Sequence, residues 1–84
     1  MYFVVTTKSF DKALAKLPIN WRKRILAKIR DVAESPYMPN NNLKKLQGRD
    51  GYRLRVGEWR VIYELQDDRL VMLVLELGSR GEIY

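Results

Sequence analysis

The stretch YRLRVGEWRVIYELQDDRLVMLVLEL, residues 52–77, decides the fold. It reads as three strands, 52–56, 59–65 and 69–77, joined by turns at Gly57-Glu58 and Asp67-Asp68. Glycine first in a two-residue loop marks a type II′ hairpin, whose twist suits the flanking strands. With that turn in place Val56 faces Trp59, Arg55 faces Arg60, and Leu54 faces Val61. Side chains alternate along a strand, so Tyr52, Leu54, Val56, Trp59, Val61 and Tyr63 share one face. That apolar face is the core side. Arg53, Arg55, Arg60, Ile62 and Glu64 take the other. Two arginines directly opposite one another destabilise a sheet by at least a few tenths of a kcal/mol. A single arginine on a solvated face is ordinary, because salt screens it. Three on one face, with Arg80 just past the last strand, point to an anion-binding concavity. The planar guanidinium fork matches phosphate with two parallel hydrogen bonds. Tyr37 in the preceding loop and Tyr84 at the tail add rings on which splayed RNA bases can stack.

Upstream, Tyr2-Phe3-Val4-Val5 is a short β-favouring run and reads as a strand. Thr7 or Ser9 suits the cap of a first helix carrying Phe10, Leu14 and Leu17 at helical spacing. Pro18 interrupts it and suits the first turn of a second helix. There Trp21, Ile25, Ile29 and Val32 form one stripe, widened by Leu26 and Ala33. Ser35-Pro36 ends the pair. Residues 36–51 contain two prolines, three asparagines and two glycines, and read as a loop long enough to invite a functional role. The order is strand, two helices, three strands. It predicts an α+β fold: an N-terminal strand, a helical hairpin and a three-stranded antiparallel meander, the helices packed on one sheet face. Trp21 and Trp59 lie on core faces, as do Tyr52 and Tyr63, which predicts packing for all four.

Length and composition narrow the chemistry. The 84 residues make a single domain, 1–84. With no cysteine there is no disulfide, thiolate catalysis or sulfur-ligated zinc. With no histidine the commonest metal ligand and general base are gone too. No metal or cofactor is expected. Sixteen Lys and Arg against ten Asp and Glu leave a net charge of +6, which suits an anionic partner. Residues 1–35 hold eight basic and three acidic residues, so most of this surplus sits on the helices. The run Arg22-Lys23-Arg24 is an ordinary solvated helix face or, taken together with its neighbours, a grip on the backbone phosphates of an anionic partner. No apolar run approaches the roughly 20 residues that span a bilayer. The opening residues lack the features of a signal peptide. A cytoplasmic protein without membrane contact is expected.

The segments LKKLQGRDGYRLRVGEWRVIYEL (43–65) and LVLELGSRGEIY (73–84) resemble the RelE toxins of bacterial toxin–antitoxin pairs, within the RelE/ParE superfamily. The resemblance runs the whole chain, with the TKSFDKALAKL helix and the long second helix in the matching places. Its most specific parts are 43–63 and the closing G-x-R-x-x-x-Y. It implies a type II toxin: a ribosome-dependent mRNA endoribonuclease, or mRNA interferase, that inhibits translation. The RNA's own 2′-hydroxyl would attack the adjacent phosphate without a metal. It also implies three partners: a RelB-like antitoxin, mRNA in the ribosomal decoding site, and small-subunit ribosomal RNA. Carried over residue by residue, the family's two basic positions on the first hairpin strand fall on Arg53 and Arg55. Its phosphate-binding arginine falls on Arg60, its post-strand arginine on Arg80 and its C-terminal tyrosine on Tyr84. Arg55, Arg60, Arg80 and Tyr84 are thus the catalytic candidates. Arg53, Lys44 and Lys45, the last within the K-L-x-G motif, are the RNA-binding candidates.

The chain departs from the family at two points. The family's strand lysines are arginines here, and arginine stays protonated, so Arg55 does not serve as the base. Tyr84, Lys45 and the carboxylates Glu82 and Glu64 remain as bases. Tyr84 acts either as a base, its phenol lowered by surrounding arginines, or as a stacking platform. Ser79 stands where related toxins often carry a histidine. Two other readings compete: a ParE-like, non-catalytic inhibitor of DNA gyrase, and an RNA-binding module with decayed catalysis.

Overall fold

A computed structural model describes residues 1–79 of the chain. The elements run β1 (Phe3–Thr6), α1 (Lys8–Ala15), α2 (Ile19–Glu34), β2 (Leu43–Lys45), β3 (Tyr52–Val56), β4 (Trp59–Gln66) and β5 (Val71–Ser79). One sheet takes all five strands in the order β1-β5-β4-β3-β2. The class is α+β, as the residue pattern predicts. The strand arrangement is richer than a three-stranded meander. β1 joins it by parallel pairing with β5, and every other pairing is antiparallel.

Two differences follow from short-range chemistry. Residues 43–45 are not loop but an edge strand, pairing Leu43 with Leu54, Lys44 with Arg53 and Lys45 with Tyr52. Three residues are too few to display an alternation, so only the partner strand reveals them. The second turn is not the two-residue Asp67-Asp68 loop but spans residues 67–70. The Arg69 N–H donates to the Gln66 carbonyl (3.1 Å) and the Leu70 N–H to the Asp67 carbonyl (3.3 Å), with Leu70 at φ +54°. The last strand consequently starts at Val71 and runs on to Ser79.

Local signals set the rest. Thr7 is the cap of α1; its hydroxyl oxygen accepts from the Phe10 N–H at 3.1 Å. The same hydroxyl donates to the Leu75 carbonyl at 2.7 Å. Leu75 is free to accept because it is the extra residue of a bulge: Ile62 pairs with Glu76 and Tyr63 with Val74. One side chain therefore caps a helix and pins it to the sheet. Pro18 precedes α2 as its cap residue, one step earlier than the first-turn position, and its carbonyl accepts from Trp21 and Arg22. Ser35 ends α2 ahead of Pro36.

Both helices lie on one face. Phe10, Ile25, Ile29, Val32 and Ala33 meet Leu54, Val56, Val61, Tyr63, Met72 and Val74 in a single buried cluster. Trp21, Tyr52 and Trp59 pack at its border, half-buried. Among the described residues no helix covers the opposite face, where Arg55 is exposed and Arg53 and Arg60 are half-buried. No helix among the described residues is long and apolar enough to cross a membrane.

Candidate nucleic-acid interface

The hairpin register agrees residue for residue with the pattern read from the chain. Gly57 sits at φ +61°, and Arg55 pairs with Arg60, Leu54 with Val61 and Val56 with Trp59. Across the whole sheet this builds two rows on the uncovered face. The first is Lys44, Arg53, Ile62 and Glu76; the second is Arg55, Arg60 and Gly78. Side chains in such a row stand about 4.5–5.5 Å apart at Cβ, close enough to engage one ligand together. Gly78 contributes no side chain beside Arg60 and is itself buried.

The two facing arginines each donate to neutral acceptors. The Asn42 side-chain oxygen accepts from Arg55 Nη2 at 3.0 Å and Nε at 3.3 Å. The Arg55 N–H also donates to the Asn42 carbonyl at 2.9 Å, so Asn42 holds both backbone and side chain. On the other strand Arg60 Nη1 donates to the carbonyls of Trp59 (3.1 Å) and Gly57 (3.3 Å). A neutral oxygen orients the Arg55 guanidinium without cancelling its charge.

Beside the rows lies a cleft of about 440 Å³ lined by Lys44, Lys45, Arg49, Arg53, Leu46 and Gln47, with Ile62 at its floor. Ile62 is 1% exposed although it points away from the helices. The loop over 46–51 borders the same cleft and is closed by a bond from the Leu46 N–H to the Gly51 carbonyl (3.0 Å). Gly51 has φ +120°, and a Cβ there would stand 2.9 Å from the Tyr63 carbonyl oxygen, so the loop returns only through glycine. An apolar floor ringed by four cations suits a base and its phosphate.

The structure gathers Arg53, Arg55, Arg60 and Lys44 on one face. Lys45 stands opposite Tyr52, its strand position directed to the other face, yet it lines the same cleft from the sheet edge. Arg80, Glu82 and Tyr84 lie outside the described residues. Ser79, the last residue of β5, pairs with Trp59 at the hairpin end next to Arg60. Tyr37 is not grouped with the arginines. Its hydroxyl donates to Asp67, 2.6 and 2.7 Å from the two carboxylate oxygens, beyond the opposite end of β4 from Arg60. Tyr2 also donates to Asp67 (2.7 Å). These bonds hold the Asp67 carboxyl below its usual range and raise both phenols. Sequence reading missed Asn42 and Arg49. Arg49 could have been found as a cation in a glycine-bounded loop, whereas nothing distinguishes Asn42 from Asn40 and Asn41 before the fold is known.

A small α+β domain with an arginine-lined, helix-free sheet face defines a class that comparison identifies. A family model described as the ParE toxin of type II toxin–antitoxin system, parDE, matches residues 4–84, and the chain belongs to this family of toxins. Within it the chain is of the RelE type. It is 36% identical to a chain of the archaeal RelE–RelB complex from Pyrococcus horikoshii, with TM-score 0.80 over 96% of this chain and 97% of that one. Against a chain of the intact Escherichia coli RelBE toxin–antitoxin complex the TM-score is also 0.80, at 28% identity over 94% and 96%. The curated relative named mRNA interferase toxin RelE, from E. coli K12, is 28% identical over 99% of this chain and 90% of its own length.

Proposed function

We propose that this toxin is a ribosome-dependent mRNA endoribonuclease that works without a metal. The observation that carries the reading is the pair of cationic rows on the helix-free face, with the Arg55 fork held in place by Asn42. The mRNA interferase name of the E. coli relative supports it. In the reaction the 2′-oxygen of one nucleotide bonds to the adjacent phosphorus while the bond from phosphorus to the 5′-oxygen breaks. The 2′-proton passes to a base, and the leaving oxygen gains a proton. The products are a 2′,3′-cyclic phosphate and a 5′-hydroxyl. Arg55, Arg60 and Arg80 stabilise the crowded phosphorane, and fixed donors aimed at developing charge account for much of such a rate. Arg53, Lys44 and Lys45 hold the message in register. Tyr84 is the base or the stacking platform, with Lys45, Glu64 and Glu82 as the other proton acceptors. The partners are a RelB-like antitoxin, mRNA in the decoding site and small-subunit ribosomal RNA, and the place of action is the cytoplasm.

The test is translation in vitro with primer extension along the message, with and without ribosomes. Cuts confined to ribosome-occupied codons are expected. Cuts on naked RNA remove the ribosome from the mechanism. An intact message under active translation overturns the reading and favours a ParE-like action on DNA gyrase, the second reading that the family match supports.

A further inference from the structure

A second basic cleft, of about 420 Å³, lies where the sheet edge meets the helical layer. β2 pairs with β3 as far as Leu54, and the bond from the Arg55 N–H to the Asn42 carbonyl is the last across this edge, beyond which Val56 follows. There Arg55 and Arg60 line one wall and Arg24 and Lys28, from α2, line the other; Asn42 and Glu58 complete the polar lining. Among the described residues four cations and one carboxylate thus line the cleft, although the cations come from opposite faces of the fold.

Trp21 sets this meeting. Its ring lies so close to Gly57 that a Cβ on residue 57 would stand 2.8 Å from Cζ3 and closer still to Cη2. α2 is thereby docked against the hairpin turn. Arg24, one turn on, stacks its guanidinium carbon 4.5 Å above the Trp21 ring. Lys28 follows at i+4 on the same side of the helix. Two of the cations are therefore held before any ligand arrives, Arg24 by a ring and Arg55 by an amide. Both holders are neutral and leave the charge available.

We infer that this cleft is an RNA phosphodiester site, in which Arg24 and Lys28 continue the path of the arginine face around the sheet edge. It rests on the nuclease reading above and adds two binding residues on α2. Its contacts are to backbone phosphate, so it contributes affinity without base preference.

The test uses the full chain, an Arg24→Gln/Lys28→Gln variant and a charge-keeping Arg24→Lys/Lys28→Arg variant. Binding is titrated over a range of salt to vacant 70S ribosomes and to ribosomes programmed with a message 2′-O-methylated at the target codon, which blocks the attacking hydroxyl. Losing two phosphate contacts is expected to weaken binding at least tenfold and to flatten the log–log salt slope by about 1.4–1.8. The charge-keeping variant is expected to bind like the parent. Loss on vacant ribosomes assigns the phosphates to ribosomal RNA; loss only on programmed ones assigns them to the message. Parent-like affinity and slope in the glutamine variant overturn the inference, as does equal loss in the charge-keeping variant. If the parent itself neither binds ribosomes nor cuts message, the nuclease reading falls, an outcome distinct from failure of the cleft alone.

Discussion

Asn42 grips Arg55 twice, its side-chain oxygen taking Nη2 and Nε while its carbonyl takes the backbone N–H. An arginine facing another arginine would otherwise swing into solvent. Asn42 is therefore a positioning residue for the open face. Asn42→Ala is expected to slow message cleavage about tenfold, because a catalytic charge displaced by an ångström loses much of its effect. Stability should change by less than about 1 kcal/mol, since the lost bonds are exposed. Single-turnover cleavage together with a urea melt checks both numbers.

Arg60 lies in the middle of the sheet on β4, where its strand neighbours hold it rigidly. Arg60→Ala is expected to lower cleavage by about 10²–10³-fold, the scale for removing one preorganised donor to a developing anion. Arg60→Lys should recover only part of this, since a point charge lacks the bidentate fork. Cleavage at the parent's rate by the alanine variant would remove Arg60 from the site.

Gly57 has two duties that no side chain can share: φ +61° in the hairpin turn and close contact with the Trp21 ring. Gly57→Ala should cost about 2–4 kcal/mol from backbone strain and overpacking combined. The expected signature is a lower urea midpoint at an unchanged slope. A midpoint within error of the parent's would show that α2 shifts freely against the hairpin.

Asp67 accepts from Tyr2 and Tyr37, and its carboxyl is held below the usual range. A lowered folded-state value means stability present above the unfolded carboxylate value, about 3.9, and lost as pH falls through the folded one. The two phenols are raised, so their share is present below about 10 and lost at higher pH as they ionise. Asp67→Asn should therefore flatten the acid limb of Tm against pH between about pH 5 and 2. An acid limb as steep as the parent's would show that the exposed cluster contributes nothing to stability.

Within the chain, the Gly57-Glu58 turn and the alternation around it were enough to set the register of β3 on β4. A two-residue turn leaves one pairing, and alternation leaves one apolar face, so Arg53, Arg55 and Arg60 emerge together from local rules alone. The 3.6-residue stripe of α2 likewise declares which side it buries. β2 was illegible because three residues carry no period, and its identity as a strand comes from hydrogen bonds to β3. The 67–70 turn was misread for a related reason: Leu70 takes positive φ, which its side chain does not advertise.

By itself the sequence determined the class, the hairpin register and the charge of the open face, since these follow from neighbours a few residues apart and from composition. Only the tertiary structure decided that β1 pairs parallel to β5, that Asn42 orients Arg55, and that Trp21 on Gly57 brings Arg24 and Lys28 to the sheet edge. Those relations join residues 13 to about 70 positions apart. They depend on the close packing of layers in space, and no local propensity encodes them.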